Sequence, residues 1–111
     1  MATAVKGKDE SFSQVQDFEL LPNYPNPFNP STNIRYSLPV AAHVTLKLFD
    51  VLGHEIATLA DETQKAGGHT VTFDAQLYKP ELTSGVYFYK LTAEANGGAV
   101  FSATRKMLLA R

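Results

Sequence analysis

The chain has no cysteine and no tryptophan among its 111 residues, and only two methionines. Without cysteine there are no disulfides, thiolate metal centres or cysteine nucleophiles, so the fold must stand on packing alone. The paired cysteines and core tryptophan that mark an antibody-type domain are missing for the same reason. No run approaches the ~20 apolar residues that span a bilayer. Net charge is nearly absent too. Ten Lys and Arg against eleven Asp and Glu leave −1, which gives no broad field to draw in nucleic acid or an anionic membrane. The opening residues carry Lys6, Lys8, Asp9 and Glu10 and have no apolar core, so they do not form a signal peptide. An exported protein is then expected to take its leader from a longer parent upstream.

Catalytic and ligand-binding patterns are missing as well. There is no glycine-rich phosphate loop, no nucleophile elbow and no serine with a nearby His/Asp arrangement, so the sequence predicts no enzyme and no cofactor. His43, His54 and His69 are too far apart for a local ligand pair and read as surface histidines. Asp50, Asp61, Glu62, Asp74 and Glu81 are dispersed and do not follow a calcium-loop spacing. No metal site is expected.

What remains is material for one core. Hydrophobic residues make up 44%, with seven Phe and five Tyr, and a chain of this length buries roughly two thirds of its unfolded surface. Residues 1–17 are polar and without periodicity, which predicts a flexible leader or linker. From Phe18 the pattern changes to short apolar runs of period two, separated by Gly, Pro and Asn.

Seven strands are expected: Phe18–Leu21, Asn33–Leu38, Val44–Asp50, Glu55–Ala60, His69–Asp74, Val86–Glu94 and Ala99–Leu109. Alternation places Ile34, Tyr36 and Leu38 on one face, and likewise Val44, Leu46 and Leu48. Tyr87, Tyr89 and Leu91 share a face, as do Phe101, Ala103, Met107 and Leu109. The run Tyr87-Phe88-Tyr89 therefore sends only Phe88 outward, and it reads as core packing and not as a sugar-stacking platform. Asp50-Val51-Leu52-Gly53 fits a hairpin connection, and Asn96-Gly97-Gly98 tolerates positive φ. Helix is limited to a turn over residues 61–65. Residues 18–111 are thus expected to form an all-β, seven-stranded antiparallel immunoglobulin-like sandwich.

Leu21-Pro22-Asn23-Tyr24-Pro25-Asn26-Pro27-Phe28-Asn29-Pro30-Ser31-Thr32 departs from this pattern. Its prolines bias the backbone towards polyproline II. With three residues per turn, Asn23, Asn26 and Asn29 would form a polar ridge, with Tyr24, Pro27 and Pro30 on a second ridge and Pro22, Pro25 and Phe28 on a third. The expectation is that the apolar ridges lie on the sandwich while each Asn caps a backbone turn; the functional reading is a recognition strip with little ordering entropy. Asn29-Pro30-Ser31 is no glycosylation acceptor, since proline fills its middle position. At the other end, no acidic residue follows Glu94, whereas Arg105, Lys106 and Arg111 do, making the last strand basic. Basic residues on an edge strand also suppress aggregation.

Taken in order, Leu20 to Pro30, Leu48-Phe49-Asp50-Val51-Leu52-Gly53, Ser84-Gly85-Val86-Tyr87-Phe88-Tyr89 and Arg105-Lys106-Met107-Leu108-Leu109 resemble the type A C-terminal sorting domain of the type IX (Por) secretion system. The Asp-Val-Leu-Gly and Gly-Val-Tyr motifs are also similar to the Ig-like domain of the flagellar hook-capping protein. The sorting-domain resemblance implies a module attached to an N-terminal cargo domain, recognised by an outer-membrane translocon and a sortase-like protease, and reaching the cell surface or medium through the periplasm. By matching position it implies recognition residues Pro25, Asn26 and Pro27, then Gly85 and Tyr87, then Arg105, Lys106, Met107, Leu108 and Leu109. A basic, apolar last strand with open backbone groups could pair with a partner by its edge, or invite dimerisation by edge pairing or strand swapping. The competing reading is a structural or adhesive Ig-like domain, hook-cap-like or a spacer or carbohydrate-associated module of a surface enzyme.

Overall fold

The computed structural model describes residues 17–111; apart from Asp17, the leader expected over residues 1–17 lies outside the described residues. The elements are β1 (Glu19–Leu20), β2 (Ser31–Leu38), β3 (Ala42–Phe49), β4 (Glu55–Gln64), β5 (Gly67–Asp74), α1 (Ala75–Tyr78), β6 (Gly85–Ala95) and β7 (Val100–Leu109). They form two antiparallel sheets, ordered β1-β2-β5 and β4-β3-β6-β7. The fourth strand therefore joins the larger sheet beside β3, leaving three strands to cover four.

The alternation read from the sequence sets the core. Ile34, Tyr36 and Leu38 of β2 and Phe73 of β5 face Val44, Leu46 and Leu48 of β3 and Tyr89, Leu91 and Ala93 of β6, all at 0–1% exposure. A one-residue slip would turn each set outward, so this burial fixes the register. Each large side chain placed there contributes about 1.5–3 kcal/mol. Phe101 and Ala103 are only partly buried, because β7 is an edge strand. The mouth beside them is covered by Phe18, whose ring stacks on Phe101 at 5.3 Å.

Two local expectations are corrected. The helical turn allowed over residues 61–65 does not form: residues 61–64 are strand, since β4 runs on to pair Asp61 and Gln64 with Thr45 and Ala42. The one short helix among the described residues is α1, where the Asp74 carboxylate caps the amides of Gln76 and Leu77 and satisfies donors that a first turn leaves open. The edges differ in regularity. Against β3, β4 breaks register twice, leaving Ile56 and Leu59 as extra residues. β7 pairs with β6 without a break from Val100 to Leu109.

Candidate recognition end of the sandwich

The registers bring the sequence motifs to one end of the molecule. Ser31 pairs with Asp74, Phe49 with Phe88 and Glu55, and Gly85 with Leu109. At that end β2, β4 and β6 begin while β3, β5 and β7 finish. The proline segment, the Asp50–Gly53 turn, the Ser84–Tyr87 approach to β6 and the close of β7 consequently lie around one rim.

The proline segment does not sort into the expected ridges. Tyr24 is 72% exposed, whereas Asn23 and Phe28 are buried at 4% and 1%; Pro22, Pro25 and Pro27 are exposed. The peptide bonds before Pro25, Pro27 and Pro30 are cis. Tertiary bonds decide which side chains turn inward. Tyr24 exchanges backbone hydrogen bonds with Asn33, and the Phe28 ring meets Phe73 edge-on at 6.1 Å. Asn23 Nδ2 donates to Thr32 Oγ1 at 3.0 Å and to the Pro25 carbonyl at 3.2 Å, and the Thr32 hydroxyl donates to the same carbonyl at 2.9 Å. Pro25 thus contributes an internal acceptor as well as an exposed ring.

The segment is a strap across the end of β7. Phe28 N donates to the Leu108 carbonyl and Ala110 N donates to the Phe28 carbonyl, both at 2.9 Å, in a parallel bridge. Asn26 Oδ1 accepts from Leu108 N at 3.0 Å. Of the expected Asn caps, that of Asn26 acts over a long sequence separation, between the strap and the last strand, whereas Asn23 bonds within the segment itself. The close of β7 is therefore already paired and is not a free edge. Arg111 continues the clasp: its amide donates to Ser84 Oγ at 2.8 Å and its Nη1 to the Pro80 carbonyl at 3.0 Å.

Two tyrosines of β6 hold the same rim. Tyr87, 7% exposed, donates its hydroxyl to the Thr83 carbonyl at 2.7 Å, an arrangement like the tyrosine corner of Ig-type sandwiches. The Tyr89 hydroxyl donates to the Leu21 carbonyl at 2.8 Å and fixes the start of the strap. Burial raises the Tyr89 pKa, against the opposing effects of the Asn23 backbone and the Arg105 charge. Gly85 has φ +151° where β6 begins, a conformation that side chains resist.

Of the residues expected to be read by a partner, several are committed internally. Met107 and Leu109 are core residues at 0% and 2% exposure, and Arg105 Nε donates to the Leu20 carbonyl at 2.6 Å. Pro25, Asn26, Pro27, Gly85, Lys106 and Leu108 are exposed beside them.

The sequence reading missed Val51 and Leu52 as candidates, although they are 64% and 77% exposed. The turn that carries them is fixed by Asp50 Oδ1, which accepts from the amides of Leu52 and His54 at 2.9 Å each. Those bonds, led by the His54 amide, hold the Asp50 pKa below its ordinary value, and Gly53 supplies φ +86°. The signal was available, since turn centres favour Gly, Asn, Asp and Pro and two large apolar residues there are unusual. Behind the turn, Val51, Leu52, Ile56, Leu82, Val86 and Tyr87 line an open groove of ≈ 390 Å³ whose acidic members are Asp50 and Glu81.

Among the described residues no group of three or more His, Cys, Asp or Glu is placed to hold a metal ion, and no helix is long and apolar enough to cross a membrane. The irregular, partly apolar features of this Ig-like sandwich thus gather at one end. The family comparison makes that specific: the model for the secretion system C-terminal sorting domain matches residues 23–103. The chain belongs to that family, the sorting signals of type IX secretion, which are not an enzyme family and which direct proteins to the cell surface or the extracellular space. Among solved structures it is similar to CopC from Methylosinus trichosporium OB3b, with a TM-score of 0.53 at 16% identity over 84% of this chain and 93% of that one. That likeness concerns the β-sandwich alone. No curated protein compared with the chain matches it.

Proposed function

We propose that this domain is read by the type IX translocon, and then by a sortase-like protease, through the rim where the strap, the Asp50–Gly53 turn and the close of β7 meet. The cargo is joined on its N-terminal side, and the route runs through the periplasm. The observation that carries the reading is the convergence of four motifs, distant in sequence, on one end of the sandwich. Val51 and Leu52 are the contact points best suited to a partner's pocket. They are large, apolar, exposed and held by a turn that loses little conformational freedom on binding. Pro27, Lys106 and Leu108 flank them on the same end.

The test is secretion of a periplasmic reporter fused to residues 1–111 in a host that carries this system. The fusion is expected at the surface or in the medium, and Val51→Ser/Leu52→Ser should hold it in the periplasm while leaving the domain's melting temperature unchanged. Retention of the unaltered fusion would remove the sorting reading. Equal export of both forms would remove the turn as its contact point.

A further inference from the structure

The outer face of the four-stranded sheet carries a feature that the rim does not account for. Register places Lys47 of β3 directly opposite Lys90 of β6, while Lys106 of β7 lies opposite Phe88, whose partner on β3 is Phe49. The alternate residues Leu46, Leu48, Tyr89 and Leu91 are buried at 0%, so these lysines and phenylalanines face outward. Like charges directly opposite on neighbouring strands destabilise a sheet, and this pair sits on inner strands where a threonine would pack without that cost. The only anion bonded to the trio among the described residues is Glu55, at 3.1 Å from Lys47; the bond to Lys47 keeps the Glu55 carboxyl below its ordinary pKa. The other acids of this face, Asp61 and Glu94, register with Thr45 and His43, further from the rim, and Asp61 is taken by His43 at 2.8 Å. The half nearer the rim is left cationic.

Hydroxyls surround the charges. Thr92 and Thr45 register with one another beside the lysine pair, and Thr104 and Ser102 continue the rows on β7. Thr45, Lys47, Phe49, Glu55, Lys90 and Thr92 line an open cleft of ≈ 380 Å³.

We infer that this face binds an extended anionic glycan, a polysaccharide bearing carboxylate or phosphate groups. Charge complementarity selects an anion. The inner strands β3 and β6 have both edges paired, so the face offers an acidic peptide side chains only and no backbone ladder. The apolar side chains next to the lysines, Phe49 and Phe88, are half-buried, where insertion into a lipid surface calls for protruding ones. A flat array of hydroxyls and ammonium groups matches a chain of acidic sugars, whose hydroxyls need partners along their length.

Binding of residues 1–111 to polygalacturonate, followed by affinity electrophoresis at low and high salt, tests this. Dextran serves as the neutral polymer and phosphatidylglycerol vesicles as the lipid arm. Retention by polygalacturonate but not dextran is expected, and it should weaken with salt. Lys47→Gln/Lys90→Gln should weaken it about tenfold, while Arg35→Gln on the opposite sheet leaves it unchanged. Lys90→Gln alone should raise the melting temperature while weakening retention, a combination that misfolding does not produce. Equal retention of the double variant, equal binding to dextran, or capture by vesicles without polygalacturonate binding would each overturn the inference. Lys47 and Lys90 lie within β3 and β6, outside the turn and the strap, so the outcome is separate from that of the export assay.

Discussion

Replacing Phe28 by alanine tests whether the strap is part of the fold. Its side chain is 1% exposed, packs edge-on against Phe73 at 6.1 Å, and sits between two backbone bonds to the close of β7. Truncating a buried phenylalanine costs about 3–5 kcal/mol, a large share of the ~5–15 kcal/mol that holds a domain of this kind together. At about 4–8 °C per kcal/mol for a domain of roughly this size, the melting temperature should fall by about 12 °C or more. Urea titration gives the free energy, and amide exchange locates the loss. The amides of Leu108 and Ala110, which bond to Asn26 and Phe28 respectively, should exchange faster in Phe28→Ala even at temperatures where β3 and β6 stay protected. Phe28→Leu, which refills most of the space, should lose much less. A cost under about 1 kcal/mol, typical of surface positions, together with unchanged exchange at those two amides, would show that the strap is an appendage, and the argument for a single clasped rim would fail.

Two pH responses follow from the groups with shifted pKa. Burial raises Tyr36 and Tyr89 above the ordinary 10.0, so the neutral phenols stabilise the fold fully below pH 10.0 and that contribution is lost as pH rises through their higher folded values. A phenolate absorbance titration should show two tyrosines ionising late and together with unfolding; five tyrosines titrating at the ordinary value would contradict the packing. Asp50 shows the opposite sign. Its depressed carboxyl supports the turn above the ordinary 3.8, and the support is lost as pH falls through the lower folded value. Asp50→Asn should flatten that part of the acid unfolding profile, and superimposable profiles would rule out a role for the charge.

The sandwich was legible because its strands are half-buried and alternate. Ile34, Tyr36 and Leu38 could only face one way, and the period of two says so without tertiary information. The helix α1 was not legible: its four residues show no period, and the cap from Asp74 reads as the end of a strand until the chain is seen to turn. The strap was misread for a related reason. Polyproline II ridges follow from local backbone preference, but the inward side chains, Asn23 and Phe28, are chosen by Thr32, Phe73 and the close of β7, which lie far along the chain. The rim was named piecemeal by its motifs. That Arg105, Met107 and Leu109 hold the fold, while Val51 and Leu52 stand clear of it, depends on which strand becomes an edge, and alternation does not reveal edges.

This division bears on how a sorting signal of this kind should be dissected. Removing the last ten residues takes Met107 and Leu109 out of the core, frees the strap at Asn26 and Phe28, and leaves the Leu20 carbonyl without Arg105. Such a truncation unfolds the domain whether or not a partner reads the tail, so loss of export on truncation does not separate a recognised sequence from a required fold. The same holds for Tyr87, whose hydroxyl fastens the Thr83 carbonyl. Substitutions at Val51 and Leu52 escape the ambiguity, because both side chains project into solvent from a turn held by the Asp50 side chain and backbone bonds. A short peptide copying only the proline motif should likewise fail as a signal: without Thr32, Tyr89 and Leu108 it lacks the partners that give the strap its shape. If such a peptide, fused alone to a reporter, were exported as efficiently as the whole domain, the signal would be linear and the geometry of the rim irrelevant to it.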